Sequence, residues 1–209
     1  MEQGRIIVLR NALDLAERGF MALFFGAMAY RLLPHFAETG NIVDICVLIS
    51  EGASTLFVLA HRRTEALSLS RTDWALTSLA TVLPTLVFPS SATPLLSHFI
   101  CDALVFHGFV LQIAAKLTLR RSFGLLPANR GVKVGGPYRL LRHPIYAGYV
   151  LTHIAVLGTY PTLWNLAIYL SAFAAQCLRI LAEERILRRD PIYAHFMLAT
   201  RYRLIPFLF

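Results

Sequence analysis

The run LLSHFICDALVFHGFVLQIAAKLTL, residues 95–119, decides the fold class of this chain. It supplies the roughly 20 predominantly apolar residues that a helix needs to cross the hydrocarbon core of a bilayer. Two basic residues, Arg120 and Arg121, follow it directly, as is typical of the cytosolic end of a spanning helix. The stretch therefore predicts a transmembrane helix.

Apolar segments of the same kind lie on both sides of this run. Residues 145–158 are too short for a lone span, and the turn Gly158-Thr159-Tyr160-Pro161 joins them to the next apolar segment, so we expect a helical hairpin there. The sequence predicts an all-α, polytopic transmembrane bundle of about five to six spans, divided into N-terminal helices (1–94) and a functional core (95–209). The other segments are 13–33, which Pro34 is expected to end, 42–60, 74–88 and 163–181.

The composition also indicates a membrane protein. Of the 209 residues, 56% are hydrophobic and only 15% are charged, whereas a soluble domain usually carries about 25% charged residues. In a soluble protein the net charge of +8 would suggest a nucleic-acid partner. Here the basic residues flank the apolar segments, so we expect membrane lipids as their partners and no nucleic acid.

The basic residues occur in alternate connections between the apolar segments. Residues 34–40, 89–93 and 158–162 contain no Lys or Arg, while the intervening connections and both ends of the chain are basic. This asymmetry predicts a multi-pass integral membrane protein with both termini and the working surface in the cytosol. The first apolar segment carries internal charges and no cleavage site follows it, so we expect it to be retained.

Metal and nucleotide chemistry are not expected. The seven histidines form no HExxH and no Cys/His cluster. The sequence also has no P-loop, no GxGxxG after a strand-like run and no GxSxG elbow. Cys46, Cys101 and Cys177 each lie inside an apolar run, as is typical of inert buried thiols.

The stretch GGPYRLLRHPIYAG, residues 135–148, is the densest candidate for a functional site. Its paired glycines allow backbone amides to approach a ligand closely. His143 precedes Pro144, which starts the next helix, and the free amides of a helix N-terminus suit a carboxylate. Tyr138 and Tyr146 could flank an adenine or a sulfonium. The alternative is a polar turn that only follows the positive-inside rule.

A pair of acids, Glu183 and Glu184, ends the last apolar segment. Arg179 lies four residues before the first and Arg188 four residues after the second, so simple ion pairs along a helix are one interpretation. The other is that one acid binds the hydroxyls or ammonium of a ligand. Five further acids lie within or near apolar helices, where charges are costly and often functional. The alternative is that some of them pair with Arg18 or His107 or lie at the outer membrane interface, as Asp44 could. The five are Asp14, Glu17, Asp44, Glu51 and Asp102.

Three motifs occur in order in the C-terminal half. They are GPYRLLRHPIYAGY (136–149), RILAEERIL (179–187), and a Tyr193-containing helix followed by RLIPF (203–207). Together they resemble the isoprenylcysteine carboxyl methyltransferase family, which is related to the phospholipid N-methyltransferases. These are integral membrane enzymes that use S-adenosylmethionine, and the resemblance extends from about Phe106 to the end of the chain.

The resemblance implies a cofactor-binding, cytosolic C-terminal region. His143 is expected near the methionine end of S-adenosylmethionine, and Glu184 is the acid expected to bind the cofactor's polar groups. Both are also the catalytic candidates, because an amine acceptor would need a base. The loop 122–133 is expected to add backbone contacts. The implied cofactor-binding residues are Gly136, Tyr138, Arg142, His143, Tyr146, Glu183 and Glu184.

The resemblance therefore implies methyl transfer from S-adenosylmethionine to a lipophilic small molecule or lipid, without a metal. Phospholipid N-methylation is an alternative, although Val110 replaces the second glycine of the Gly-x-Gly that starts at Gly108 in the phospholipid enzymes. Phe196 stands where the family often has a second tyrosine. A non-enzymatic transporter or assembly factor is the rival class, but the repeated halves and broken helices typical of transporters are not seen.

Overall fold

The fold is all-helical, as the sequence predicts. The computed structural model describes residues 2–40, 42–64 and 66–205, and within them it has no β-strand beyond one isolated bridge between Leu67 and Ala128. Short 3₁₀ turns follow α3 and α4 and precede α5. The helices are α1 (Glu2–Thr39), α2 (Ile42–Ala60), α3 (Arg71–Val82), α4 (His98–Leu119), α5 (Pro144–Thr159), α6 (Leu163–Leu187) and α7 (Pro191–Ala199).

Several helix ends differ from the predicted apolar segments; α3, for example, begins before residue 74 and ends at Val82, before residue 88. Pro34 does not end the first helix, because α1 continues through it to Thr39. A proline removes one hydrogen bond of the helical ladder and does not by itself stop a helix. The helix α6 continues beyond the apolar segment 163–181 to Leu187 and includes both acids of the glutamate pair, as the interpretation of ion pairs along one helix expects.

Among the residues that the structure describes, three helices are long and apolar enough to cross a membrane. They comprise residues Ile6–Thr39, His98–Ser122 and Leu163–Leu187. The two helices predicted to form a hairpin are α5 and α6, which follow one another after residues 160–162. The helix α5 has only 16 residues, so the full count of five to six crossings stays a prediction.

Packing brings the two halves of the chain together. The helix α1 packs on α2, α2 on α4, α4 on α5, and α3 on α6. Contacts of α2 and α3 therefore cross the predicted division at residue 94. The helices α4 and α5 approach each other closely at Gly108 and Gly148, where a Cβ at either position would lie within 2.8 Å of the other's carbonyl oxygen. Small residues permit such contact between helices, which gives Gly108 a packing role.

Candidate functional site

A cavity of about 680 Å³ runs from the loops before α5 into the helix bundle. We call its two parts the loop end and the inner chamber. The loop end is lined by Tyr138, His143, Tyr146, Arg179 and Glu183, and the inner chamber by Glu51, Tyr149, His153, Tyr169 and Gln176. Of the seven residues predicted to bind the cofactor, all except Gly136 and Glu184 line this cavity.

At the loop end, Glu183 is surrounded by groups of complementary chemistry. The Tyr146 hydroxyl donates to its carboxylate, and Arg179 Nε lies 3.2 Å from Oε1. The guanidinium of Arg179 also lies 5.2 Å from the centre of the Tyr146 ring. His143 Nδ1 is 3.8 Å from Oε2, which is too long for a hydrogen bond. Oε2 therefore retains the capacity to accept a hydrogen bond from a ligand.

Glu184 has a different environment from its neighbour. It is 1% exposed, and both of its oxygens accept hydrogen bonds from arginines. Its partners are Arg142 Nη1 at 2.8 Å, Arg188 Nη2 at 2.9 Å, and Arg203 Nε and Nη2 at 3.1 and 3.0 Å. His143 Nε2 lies 3.4 Å from Oε1. The direct cofactor contact predicted for Glu184 stays a prediction, but its carboxylate already joins α5, α6 and the C-terminal segment.

The start of α5 is held by the C-terminal segment of the chain. The amides of Arg142 and His143 donate to the carbonyls of Tyr202 and Arg203, each at 2.9 Å. Arg142 Nη2 also donates to the carbonyl of Arg201 at 2.5 Å. The amide of His143 is thus not free for a ligand carboxylate. The last two residues of the RLIPF motif, 206 and 207, lie outside the described residues.

The turn before α5 depends on a glycine and a buried tyrosine. Gly136 has φ +55°, and a Cβ there would lie 2.7 Å from Thr118 Oγ1, so a larger residue would disrupt the turn. Tyr138 is buried in the same turn. Burial raises the pKa of its hydroxyl well above the usual value, and Glu183 adds to the effect. The phenol therefore stays uncharged beside the glutamate.

The loop 122–133 is held by an acid from the N-terminal half of the chain. Glu17 of α1 is fully buried. Its Oε1 accepts hydrogen bonds from the amides of Leu125 and Leu126 at 2.6 and 3.1 Å, and its Oε2 accepts one from Arg130 Nη2 at 2.8 Å. Arg179 Nη2 donates to the carbonyl of Leu125 at 2.6 Å. The sequence identified Glu17 as a costly charge in an apolar helix but gave no sign of these partners.

A cluster near this loop has the residue types of a metal site, but arginine side chains already neutralise the charge of its carboxylates. Potential ligand atoms of Asp14, Glu17 and His61 lie within 4.8 Å of one another. Asp14 pairs with Arg18 at 3.0 Å, and Glu17 pairs with Arg130 at 2.8 Å. Burial and the charge of Arg130 lower the pKa of His61, against the opposing effect of Asp14. These guanidinium groups oppose a divalent cation, so we assign no metal to the cluster.

The inner chamber contains polar groups that sequence patterns identified only in part. Glu51 lies 3.6 Å from Nζ of the fully buried Lys116, and the Tyr149 hydroxyl donates to Glu51 Oε1 at 3.1 Å. The ring of His153 stacks on that of Tyr169 with centroids 4.5 Å apart. Of these residues the sequence indicated only Glu51, because a lone polar residue in an apolar run does not reveal which helix face it occupies.

Comparison with known proteins finds a family match for part of the C-terminal half of the chain. Residues 100–189 match the sequence model of the isoprenylcysteine carboxyl methyltransferase family. No curated protein matches the chain. The matched residues comprise most of α4, the loop and turn before α5, and all of α5 and α6, so they supply every side chain of the loop end. The family predicted from the three motifs is thereby confirmed, and residues 100–189 are identified as an isoprenylcysteine carboxyl methyltransferase family region.

Proposed function

We propose that this protein is an integral membrane methyltransferase that transfers a methyl group from S-adenosylmethionine to a lipophilic acceptor. The observation that carries the proposal is the placement of His143, Tyr146, Arg179 and Glu183 at one end of a cavity that continues into an apolar bundle. The polar loop end suits a water-soluble cofactor, and the apolar side chains that also line the cavity, such as Phe24, Val105 and Phe109, suit a lipid-like acceptor. The family match over the same residues supports this reaction class.

The residues at the loop end fit the chemical groups of S-adenosylmethionine. Glu183 Oε2 has the capacity to accept hydrogen bonds from an ammonium or from ribose hydroxyls. The aromatic faces of Tyr138 and Tyr146 suit a sulfonium or an adenine, since a cation gains about 0.5–2 kcal/mol beside such a face. When bound, the cofactor supplies an electrophilic methyl group.

The protein's contribution to this reaction is mainly positioning. Displacement at a methyl carbon requires the donor sulfur and the acceptor atom to be aligned, and holding two reactants in that geometry is itself a large catalytic effect. Arg179 and Tyr146 fix the orientation of the Glu183 carboxylate. His143, beside this cluster, is the group that could hold a proton released by a hydroxyl or amine acceptor.

We assign a positioning role to Glu184 in place of a direct catalytic one. Its oxygens already accept bonds from Arg142, Arg188 and Arg203, so a ligand would have to displace an arginine. By holding Arg142 and the C-terminal segment it fixes the backbone of His143, whose amide donates to the Arg203 carbonyl.

The orientation in the membrane is part of the proposal. The basic connections before and after α5–α6 favour a cytosolic loop end under the positive-inside rule. The helices α2, α3 and α5 would add three shorter crossings to the three long ones, which gives six spans, the upper end of the five to six expected from the sequence. A cytosolic opening would admit the cofactor, and the apolar helices would admit the acceptor from the bilayer.

Equilibrium binding of S-adenosylmethionine to the full chain in lipid nanodiscs tests the proposal. We expect saturable binding in the micromolar range, weakened about tenfold or more by Glu183→Gln, because a charged hydrogen bond contributes about 1.5–3 kcal/mol. Arg139→Gln, an exposed change in the same motif, is the matched control and should bind normally. Absence of binding by folded protein would reject the methyltransferase and favour a transporter or assembly role.

The acceptor alternatives are separated by a second measurement. Lipids extracted from membranes that contain the active protein can be analysed for methylated head groups. Phospholipid N-methylation predicts methylated amines in that extract, whereas a prenylated or other small acceptor predicts none.

A further inference from the structure

A second pocket, of about 690 Å³, lies where α1, the connection from α2 to α3 and the end of α6 meet. Its lining includes three arginines, Arg10, Arg185 and Arg189, and we call it the arginine pocket. It shares no lining residue with the cavity at the loop end. The methyl transfer proposed above therefore leaves these arginines without a role.

Two of the three arginines are available to a ligand. The third, Arg185, pairs through Nη2 with Asp73 at 2.6 Å. Arg10 and Arg189 form no ion pair with an acid in the part of the chain that the structure describes. A guanidinium offers five N–H donors and binds a phosphate or a carboxylate through pairs of them. The pocket thus presents cationic donors from two separate elements.

The acid that lines the pocket does not cancel this charge. Asp190 accepts hydrogen bonds from Asn129 Nδ2 at 2.8 Å and from the Ile192 amide at 2.9 Å. Among the described residues, which do not include Glu65, the three guanidinium groups meet two carboxylates, those of Asp73 and Asp190. The balance is positive, so an anion with a single negative charge suits the pocket better than a cation does.

The surroundings of the pocket are apolar and exposed. Val8 on α1, Leu69 in the pocket lining and Ile192 at the start of α7 are all exposed. The backbone of the pocket is also tied to the loop 122–133, because the Ser68 amide donates to the Pro127 carbonyl at 2.9 Å. The pocket therefore lies near the loop end, at a boundary between polar and apolar surface that suits the head group of an anionic lipid.

We propose that the arginine pocket binds a phosphate group, to which Arg10 and Arg189 donate hydrogen bonds. The Ser70 hydroxyl, which also lines the pocket, adds a further donor. The apolar surroundings favour an anionic phospholipid of the adjacent leaflet as the source of the phosphate, and a soluble phosphate ester offers the same chemistry. The bound group would link α1 to the segment that follows the glutamate pair. This site does not depend on the proposed methyl transfer.

Tryptophan fluorescence tests the site. The chain has two tryptophans, and Trp74 lies four residues after Ser70 on α3, so Trp164→Phe leaves one reporter near the pocket. In this background the full chain is placed in phosphatidylcholine nanodiscs, in phosphate-free buffer, with increasing fractions of brominated phosphatidylglycerol. Quenching should saturate at a low fraction of this lipid, whereas brominated phosphatidylcholine should quench less and only in proportion to its amount.

Variants of the pocket sharpen the test. Arg189→Gln and Arg10→Gln should each weaken the apparent affinity for phosphatidylglycerol about fivefold or more. Arg139→Gln removes the same charge from an exposed residue outside the pocket and should change nothing. Glu65→Gln should not weaken binding either. An equal loss in Arg139→Gln, or a loss in Glu65→Gln, would overturn the proposal.

Glycerol 3-phosphate separates the two sources of phosphate. A lipid site predicts that millimolar glycerol 3-phosphate leaves the quenching unchanged. If the two brominated lipids quench alike, but glycerol 3-phosphate raises the unfolding midpoint of the parent protein and not of Arg189→Gln, the same site takes a soluble ester. If the lipids quench alike and the midpoint does not respond, the arginine pocket is not a phosphate site.

Discussion

Glu17 and Glu184 are two buried glutamates that use the same chemistry in different halves of the molecule. Glu17 belongs to α1, outside the residues that match the family, and it holds the loop 122–133 through two amides and Arg130. Glu184 belongs to α6, inside the matched residues, and it holds the start of α5 and the C-terminal segment through arginines. Each carboxylate ties one irregular segment of the loop end to a helix.

The difference between them lies in how far their partners are along the chain. Arg188 is one helical turn from Glu184, and Arg142 belongs to a recognisable motif. The partners of Glu17 are more than 100 residues away. The N-terminal helices carry no family motif, yet Glu17 of α1 holds the loop 122–133 in place. The N-terminal half therefore helps to position the site.

The largest decrease in the free energy of unfolding is expected from Glu184→Gln. Removal of the charge leaves the buried Arg142 and the largely buried Arg203 without their carboxylate, and breaking a buried ion pair in this way costs about 3–5 kcal/mol. Unfolding in mixed micelles of increasing SDS content measures the loss. Hydrogen exchange should rise at the amides of Arg142 and His143, which face the C-terminal segment. Unchanged exchange there would show that Glu184 does not hold this junction.

A smaller effect is expected from the same substitution at Glu17. Glu17→Gln keeps an oxygen for the two loop amides and leaves one buried arginine, Arg130, without its carboxylate, whereas Glu184→Gln leaves two. We therefore expect the lower end of the same range, about 3 kcal/mol. Hydrogen exchange should rise at Leu125 and Leu126 and not at the start of α5. If both glutamate variants loosened the same amides, the two glutamates would not hold separate segments, and the comparison would be wrong.

The smallest effect is expected from Arg188→Ala. Its side chain is half exposed, and Glu184 keeps its other arginine partners. An exposed ion pair between residues four apart on a helix contributes about 0.3–0.5 kcal/mol, so the unfolding midpoint should barely change. A loss as large as that of Glu184→Gln would mean that Arg188 is the main partner of this glutamate.

The sequence predicted the all-helical fold correctly, and it identified several residues that the structure brings together at the loop end. The apolar segment 95–119 became α4 with only a small change at its start, because helix formation in an apolar run follows from local composition. The start of α7 follows local sequence rules in the same way, because Asp190 precedes Pro191 and its side chain accepts from the Ile192 amide at 2.9 Å. The predicted helix end at Pro34 was wrong, because the loss of one backbone hydrogen bond at a proline does not outweigh the other interactions that stabilise α1.

The site could be predicted only as far as its motifs extend. Tyr138, His143, Tyr146 and Glu183 were identified by their motifs, and the structure places all four on one cavity. The different environments of Glu183 and Glu184 were not predictable, since adjacent residues on a helix point about 100° apart and the packing decides which one faces the cavity. The sequence did not indicate that Lys116 and Gln176 belong to the site, because nothing in an apolar segment shows which residue a single polar side chain will contact.

By itself, the sequence determined that this chain is an all-helical protein with membrane-spanning segments and a methyltransferase-family region. Those properties follow from local hydrophobicity and from motifs of consecutive residues. Only the tertiary structure decided that Glu17 holds a loop of the other half, that Glu184 is enclosed by arginines, and that Lys116 is fully buried beside Glu51. The physical reason is that charge pairing and burial depend on distances between residues far apart in the chain, which the packing of the helices sets.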